Sequence, residues 1–232
     1  MAALTTIGFD ADDTLWHNER FFKLTEARFA ELLGDYGERA QLLDRLLAAE
    51  RRNITRYGFG IKGFILSMIE TAVEVTGGKV QGDVIGEILA AGREMLAHPV
   101  EPLPHAREAI EALRGRFTLV LITKGDLFDQ ERKLAQSGLD PLFDGVEIVS
   151  DKTEATYRRL FARYGSGPET AMMVGNSLKS DIVPALAAGA WGVHVPHELS
   201  FALEFAEKPE THARFRQIAD LGALEALIAA IG

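Results

Sequence analysis

Asp10, Asp12 and Asp13 fall within four consecutive positions, with Thr14 directly behind them, where the apolar run Leu4–Phe9 ends. Carboxylates this close repel one another, so a fold that did not use them would be weakened by them. The two-residue spacing of Asp10 and Asp12 suits a turn leaving a strand, where one carboxylate and a neighbouring backbone carbonyl converge on a hard cation. Alone, such a cluster reads by default as a solvated acidic turn. Three further polar clusters follow in order. Thr123-Lys124-Gly125 ends the run in LVLITKGD, Lys152 follows the next in VSDKT, and Gly175-Asn176-Ser177 with Asp181 ends a fourth in VGNSLKSDI.

The elements that must position these groups are legible as short apolar runs: Leu4–Phe9, Thr118–Thr123, Val146–Val149, Ala171–Gly175 and Gly192–Val195. Most are aliphatic without alternation, which marks parallel strands covered on both faces. Helical patterns separate the last four, at Leu127–Gln136, Glu154–Arg163 and Leu178–Ala188. Another near His105–Arg114 leads into the second strand, and Leu221–Ala230 closes the chain. Alternating βα units imply right-handed crossovers and an α/β, doubly wound parallel sheet. Ligands of such sheets bind beyond the carboxyl ends of the strands, and each polar cluster sits at such an end. Singly, each has an ordinary explanation. Asp181 favours a helix dipole, Lys152 reads as a surface lysine and Thr123 as a strand residue. Jointly, they place a carboxylate nucleophile, a hydroxyl beside backbone donors, a lysine and a second polar group at one edge.

The stretch Asn18–Ala97 breaks the rhythm. It has no convincing strand, and its apolar residues recur at helical spacing through Phe22, Ala27, Phe29, Leu32 and Leu33, then Leu42, Leu43, Leu46 and Leu47. Helices are also expected at Ile61–Val75 and Val84–Leu96. This makes an all-helical insert over residues 17–102, between residues 1–16 and 103–232 of a Rossmann-like core.

The ordered set DADDT, Thr123, Lys152 and GNSLKSD resembles the haloacid dehalogenase-like (HAD) hydrolase superfamily over nearly the whole chain, and the helical insert is similar to the family's C1-type cap. The resemblance implies a Mg²⁺-dependent phosphatase acting on a small phosphorylated metabolite. Asp10 would attack phosphorus to give an aspartyl-phosphate, and Asp12 would protonate the leaving alkoxide and then activate water. Mg²⁺ would be held by Asp10, the Asp12 carbonyl, Asn176 and Asp181. Thr123, the amides of Lys124 and Gly125, and Lys152 would bind the phosphoryl oxygens. Two residues depart from the pattern. Asp13 stands where most members have glycine, and is read as a cap on the following turn rather than a participant. Asn176 stands where many place a metal-binding aspartate, which leaves open whether it or Asp181 ligates directly. A phosphomutase differs only in the phosphoryl acceptor. A 2-haloacid dehalogenase is opposed by Asp12, since halide needs no acid to leave. A receiver-like signalling or binding module would leave the insert unexplained.

Composition bounds the partners. The 232 residues carry 34 acids against 25 Lys and Arg, a net charge of −9, which opposes nucleic acid polymers and anionic membrane surfaces. There is no cysteine, so disulfides and thiolate metal sites are excluded. No apolar stretch suits a bilayer span or a signal peptide, so a cytoplasmic location is expected. Trp16, His17 and Arg20 follow the acidic loop and are candidates either for substrate contact or for packing. Arg51 and Arg52 read as a solvated helix face, and Tyr57–Gly60 with Lys62 as a turn able to read substrate. Met172-Met173 reads as strand core. His194 and His197 have no ligand partner at metal-binding spacing, so no histidine metal site is expected.

Overall fold

The computed structural model describes residues 3–231. Its six strands are β1 (Thr6–Phe9), β2 (Thr118–Lys124), β3 (Gly145–Val149), β4 (Ala171–Gly175), β5 (Trp191–His194) and β6 (Phe215–Gln217). They form one parallel sheet in the order β3-β2-β1-β4-β5-β6. The chain builds outward from β1 to β3, then restarts on the other side of β1 with β4. The crevice for a ligand in such a sheet therefore lies beyond β1 and β4. Phe9 pairs with both Leu121 and Val174, so β4 runs one residue past the end of β1, to Gly175, and β2 three residues past it, to Lys124.

Both faces of the sheet are buried, which is why the strands read as unbroken aliphatic runs. On one face Ile7, Phe9, Leu119, Leu121, Met172 and Val174 pack with Ile110, Leu113 and Leu224. On the other, Val120, Ile122, Ala171 and Met173 pack with Tyr157, Leu160 and Phe161. The helices supplying these covers include α5 (Ala106–Leu113), α7 (Glu154–Tyr164), α8 (Val183–Ala188) and α9 (Leu224–Ile231). No helix among the described residues is long and apolar enough to cross a membrane.

The chain divides into two compact units. The first holds the described residues up to Glu19, Val100–Lys124 and Gln130 onward; the second holds Arg20–Pro99 and Gly125–Asp129. Helices α1 (Glu19–Leu32), α2 (Arg39–Tyr57), α3 (Ile61–Val75) and α4 (Gly82–Ala97) build the second unit around Phe29, Leu33, Leu42, Leu46, Phe64, Met68 and Ile88. Against the expected division at 17–102, residues 17–19 and 100–102 group with the first unit and residues 125–129 with the helical one, where Lys62 Nζ lies 3.0 Å from the Asp126 carboxylate. The helix they begin, α6 (Leu127–Ser137), contributes Gln130 and Lys133 to the first unit.

Candidate active site

Asp10 is the first residue past β1, and its amide still bonds the Val174 carbonyl at 2.9 Å, so the sheet fixes where its side chain starts. Its carboxylate meets Lys152 Nζ at 2.5 Å through Oδ1, and the same ammonium reaches Asp181 Oδ1 at 2.7 Å. All three are buried, with relative exposures of 6%, 4% and 1%. Two carboxylates sharing one ammonium leave a net negative charge in a dry place. Burial, then the Asp181 charge, push Asp10 up to about 7, although Lys152 pulls the other way. Burial disfavours the Lys152 ammonium, but the two carboxylates outweigh it and hold the lysine above its usual range.

The turn after Asp10 folds back on itself. Thr14 Oγ1 donates to Asp10 Oδ2 at 3.0 Å, accepts the Asn176 N–H at 3.0 Å, and lies 3.4 Å from Asn176 Oδ1. Thr14 thus brings the end of β1 and the end of β4 to one hydroxyl. Asp13 adopts the left-handed conformation with φ 60, and its carboxylate receives the N–H groups of Asn18 at 2.8 Å and Glu19 at 2.9 Å. Asp13 therefore caps the entry to α1, as its place in the sequence suggested. Burial raises Asp13 to about 6, against the Asn18 hydrogen bond.

Asp12 is surrounded by donors. Trp16 Nε1 (2.7 Å) and Lys133 Nζ (2.6 Å) meet Oδ1, while Gln130 Nε2 (2.9 Å) and Lys133 Nζ (2.8 Å) meet Oδ2. Gln130 Nε2 also lies 3.2 Å from Thr123 Oγ1, linking the end of β2 to the Asp12 carboxylate. Lys124 turns its side chain to Ser180 Oγ at 2.7 Å and Glu204 Oε1 at 2.5 Å. Gly125 follows with φ 142 and belongs to the second unit. Glu204 also accepts from Ser177 at 2.6 Å and from Ser180. Burial alone would raise Glu204, but Lys124 and the serines hold it below its ordinary range.

After β4 the chain makes a wide turn, Leu178–Ile182, before α8. Pro184 has no N–H to offer the Ser180 carbonyl, and the Tyr157 hydroxyl donates to that carbonyl instead at 2.9 Å. Wide turns of this kind recur at functional sites because they re-aim side chains. Here the turn brings Asp181 back over the strand end, where its Oδ2 accepts the Ser177 N–H at 2.9 Å. Gly175 makes the approach possible, since a Cβ there would collide with the Asp181 carboxylate.

Asp10, Lys152 and Asp181 are thus in direct contact, Thr14 adds Asn176, and Gln130 ties Asp12 to Thr123. Residues 4–189 match the family described as haloacid dehalogenase-like hydrolase. The chain belongs to the haloacid dehalogenase-like hydrolases. A solved haloacid dehalogenase-like family hydrolase from Xanthomonas campestris is 42% identical, with a TM-score of 0.86 over 99% of this chain and 92% of that one. The glyceraldehyde 3-phosphate phosphatase of Methanothermobacter thermautotrophicus is 26% identical over 212 residues, covering 86% of this chain and 88% of that protein. The L-2-haloacid dehalogenase of Xanthobacter autotrophicus is 16% identical with a TM-score of 0.67, over 99% of this chain and all (100%) of that one, so it shares the fold.

Four side chains in this hydrolase were not foreseen: Gln130, Lys133, Ser180 and Glu204. Gln130 and Lys133 are spaced three apart on the buried face of α6, a signal that an amphipathic reading assigns to packing. Glu204 lies in the irregular segment after β5, where no periodicity exists to follow.

Proposed function

We propose that this HAD-like hydrolase is a phosphatase that hydrolyses a small phosphate monoester through an aspartyl-phosphate at Asp10, with Mg²⁺ as cofactor. The observation that carries the reading is Asp12, a carboxylate two residues from the nucleophile and held by Trp16, Gln130 and Lys133. An alkoxide leaving group needs a proton and halide does not, so an acid in this position favours phosphate esters over haloacids. The relative from Methanothermobacter thermautotrophicus, named as a phosphatase, supports the same class.

The donors around Asp10 suit a hard cation. The residues that would hold it offer oxygens only, from Asp10, Asn176, Asp181 and the backbone carbonyl of Asp12, and burial makes the ionised Asp10 costly. Both Asp181 oxygens already have protein partners in Lys152 and Ser177. Asp181 holds Lys152 and the Ser177 loop, and both it and Asn176 would offer oxygens to the cation. When bound, Mg²⁺ supplies positive charge that lets two anions approach. Asp10 Oδ2, oriented by Thr14, is the attacking atom. Lys152 neutralises charge that develops on the phosphoryl oxygens, and Thr123 with the Lys124 and Gly125 amides orients them. Asp12 gives its proton to the leaving oxygen and recovers one from the water that cleaves the intermediate. The phosphomutase differs in the acceptor alone, and no residue described here favours it.

The test is phosphate release from a panel of phosphorylated metabolites with Mg²⁺. Asp10→Asn is expected to abolish release while keeping the far-ultraviolet circular dichroism. Asp12→Ala is expected to slow alkyl phosphates by about 10²-fold or more and p-nitrophenyl phosphate much less. Equal losses on both substrates would remove Asp12 from the acid role, and full activity of Asp10→Asn would remove the mechanism.

A further inference from the structure

Asp13, His17 and His197 meet in the first unit. One carboxylate oxygen and one nitrogen of each imidazole all lie within 4.8 Å of one another. The two rings meet edge to face, with centroids 5.8 Å apart and planes at 65°. His197 Nδ1 sits 2.9 Å from the Leu199 carbonyl oxygen. The Leu199 N–H also approaches Nδ1 at 3.3 Å. Nε2 faces Asp13 Oδ1 at 3.7 Å.

We propose that Asp13, His17 and His197 bind a divalent transition cation of the zinc class, at a site distinct from the oxygen-lined one at Asp10. Two imidazoles and a carboxylate are a zinc donor set, with the fourth position left to water. A ligating histidine usually donates its other N–H to a backbone carbonyl, the arrangement of His197 and Leu199. Asp13 has matching support, because the Asn18 and Glu19 N–H groups fix its carboxylate without removing all of its lone pairs. Zinc–ligand bonds of about 2.0–2.1 Å bring the donors closer than the distances here, which side-chain rotation supplies. Donor type sorts the two cations: Mg²⁺ prefers the all-oxygen group, and imidazole nitrogen selects zinc. The bound metal joins the segment after β5 to the loop that carries the nucleophile. His17 and His197 lie near opposite ends of the chain, so their spacing conceals the set.

The proposal is tested on the full chain with Mg²⁺ in excess, by equilibrium dialysis of Zn²⁺ and by the visible spectrum of added Co²⁺. The expected result is one tightly held Zn²⁺ per chain and a Co²⁺ band of the strong, low-coordinate kind. His17→Asn and His197→Gln should each weaken binding at least tenfold, while Asp10→Asn leaves it in place. Circular dichroism identifies any variant that fails to fold, and the other histidine variant then decides. Absence of stoichiometric Zn²⁺ overturns the proposal and leaves a plain His197–Asp13 contact. Binding lost in Asp10→Asn and kept in both histidine variants also overturns it, by putting the metal among the catalytic oxygens.

Discussion

As the proposed nucleophile, Asp10 would have to be ionised to attack, yet the fold makes its ionised form expensive. In an unfolded chain it titrates near its ordinary 3.8, and in the folded protein near about 7. Between those values the folded state holds a proton that the unfolded state has lost, so stability falls as pH rises through this window. Asp13, raised to about 6, adds a separate contribution with the same sign. Thermal unfolding in EDTA should therefore show a midpoint that drops from pH 5 to pH 8. Asp10→Asn should flatten that slope without erasing the part due to Asp13. Parallel slopes in the two proteins would show that Asp10 does not carry the burial penalty. The acids themselves were plain in DADDT once the three later clusters fell after successive strands. Their partners were not. Lys133 and Gln130 act through three-dimensional contact with Asp12, and nothing in the spacing of α6 distinguishes a clamp on a carboxylate from core packing.

At the scale of elements, strands β1, β2 and β4 were readable because burial on both faces demands continuous aliphatic residues. Strand β6, the three residues Phe215–Gln217, carries arginine and glutamine and gives no such signal. The wide turn before α8 was read as ordinary helix, since a hydrophobic pattern reports period and not hydrogen-bond registration. Only Pro184 marked the departure. That turn sets the close approach of Asp181 to Gly175, and Gly175→Ala tests it. The new methyl group must displace the Asp181 carboxylate, loosening Lys152 and the Ser177 N–H together. Overpacking of this kind costs about 1–3 kcal/mol. Turnover should fall further than that loss of stability explains, because Lys152 then lacks one of its two anchors. A variant destabilised in urea but with unchanged kcat would separate the turn from the chemistry.

For the molecule as a whole, composition and the break in strand rhythm showed two structural parts, since helical spacing and aliphatic runs are different periods of one chain. What they could not show was that Gly125–Asp129 belongs with the helical unit, where contacts such as the Lys62–Asp126 ion pair join positions far apart in sequence. The charge balance has its own consequence. A chain of net charge −9 repels a phosphate ester at long range, and the ionisable groups named around Asp10 and Asp12 do not supply a positive excess to counter it. Screening should then help the substrate arrive. The Debye length shortens from about 30 Å at 0.01 M salt to about 10 Å at 0.1 M. With Mg²⁺ kept saturating, kcat/KM for a dianionic monoester should rise over that range, by roughly twofold or more, while kcat stays level. A fall in kcat/KM with added salt would mean that the local field attracts the substrate despite the total charge, and that cations beyond Lys124, Lys133 and Lys152 act on it.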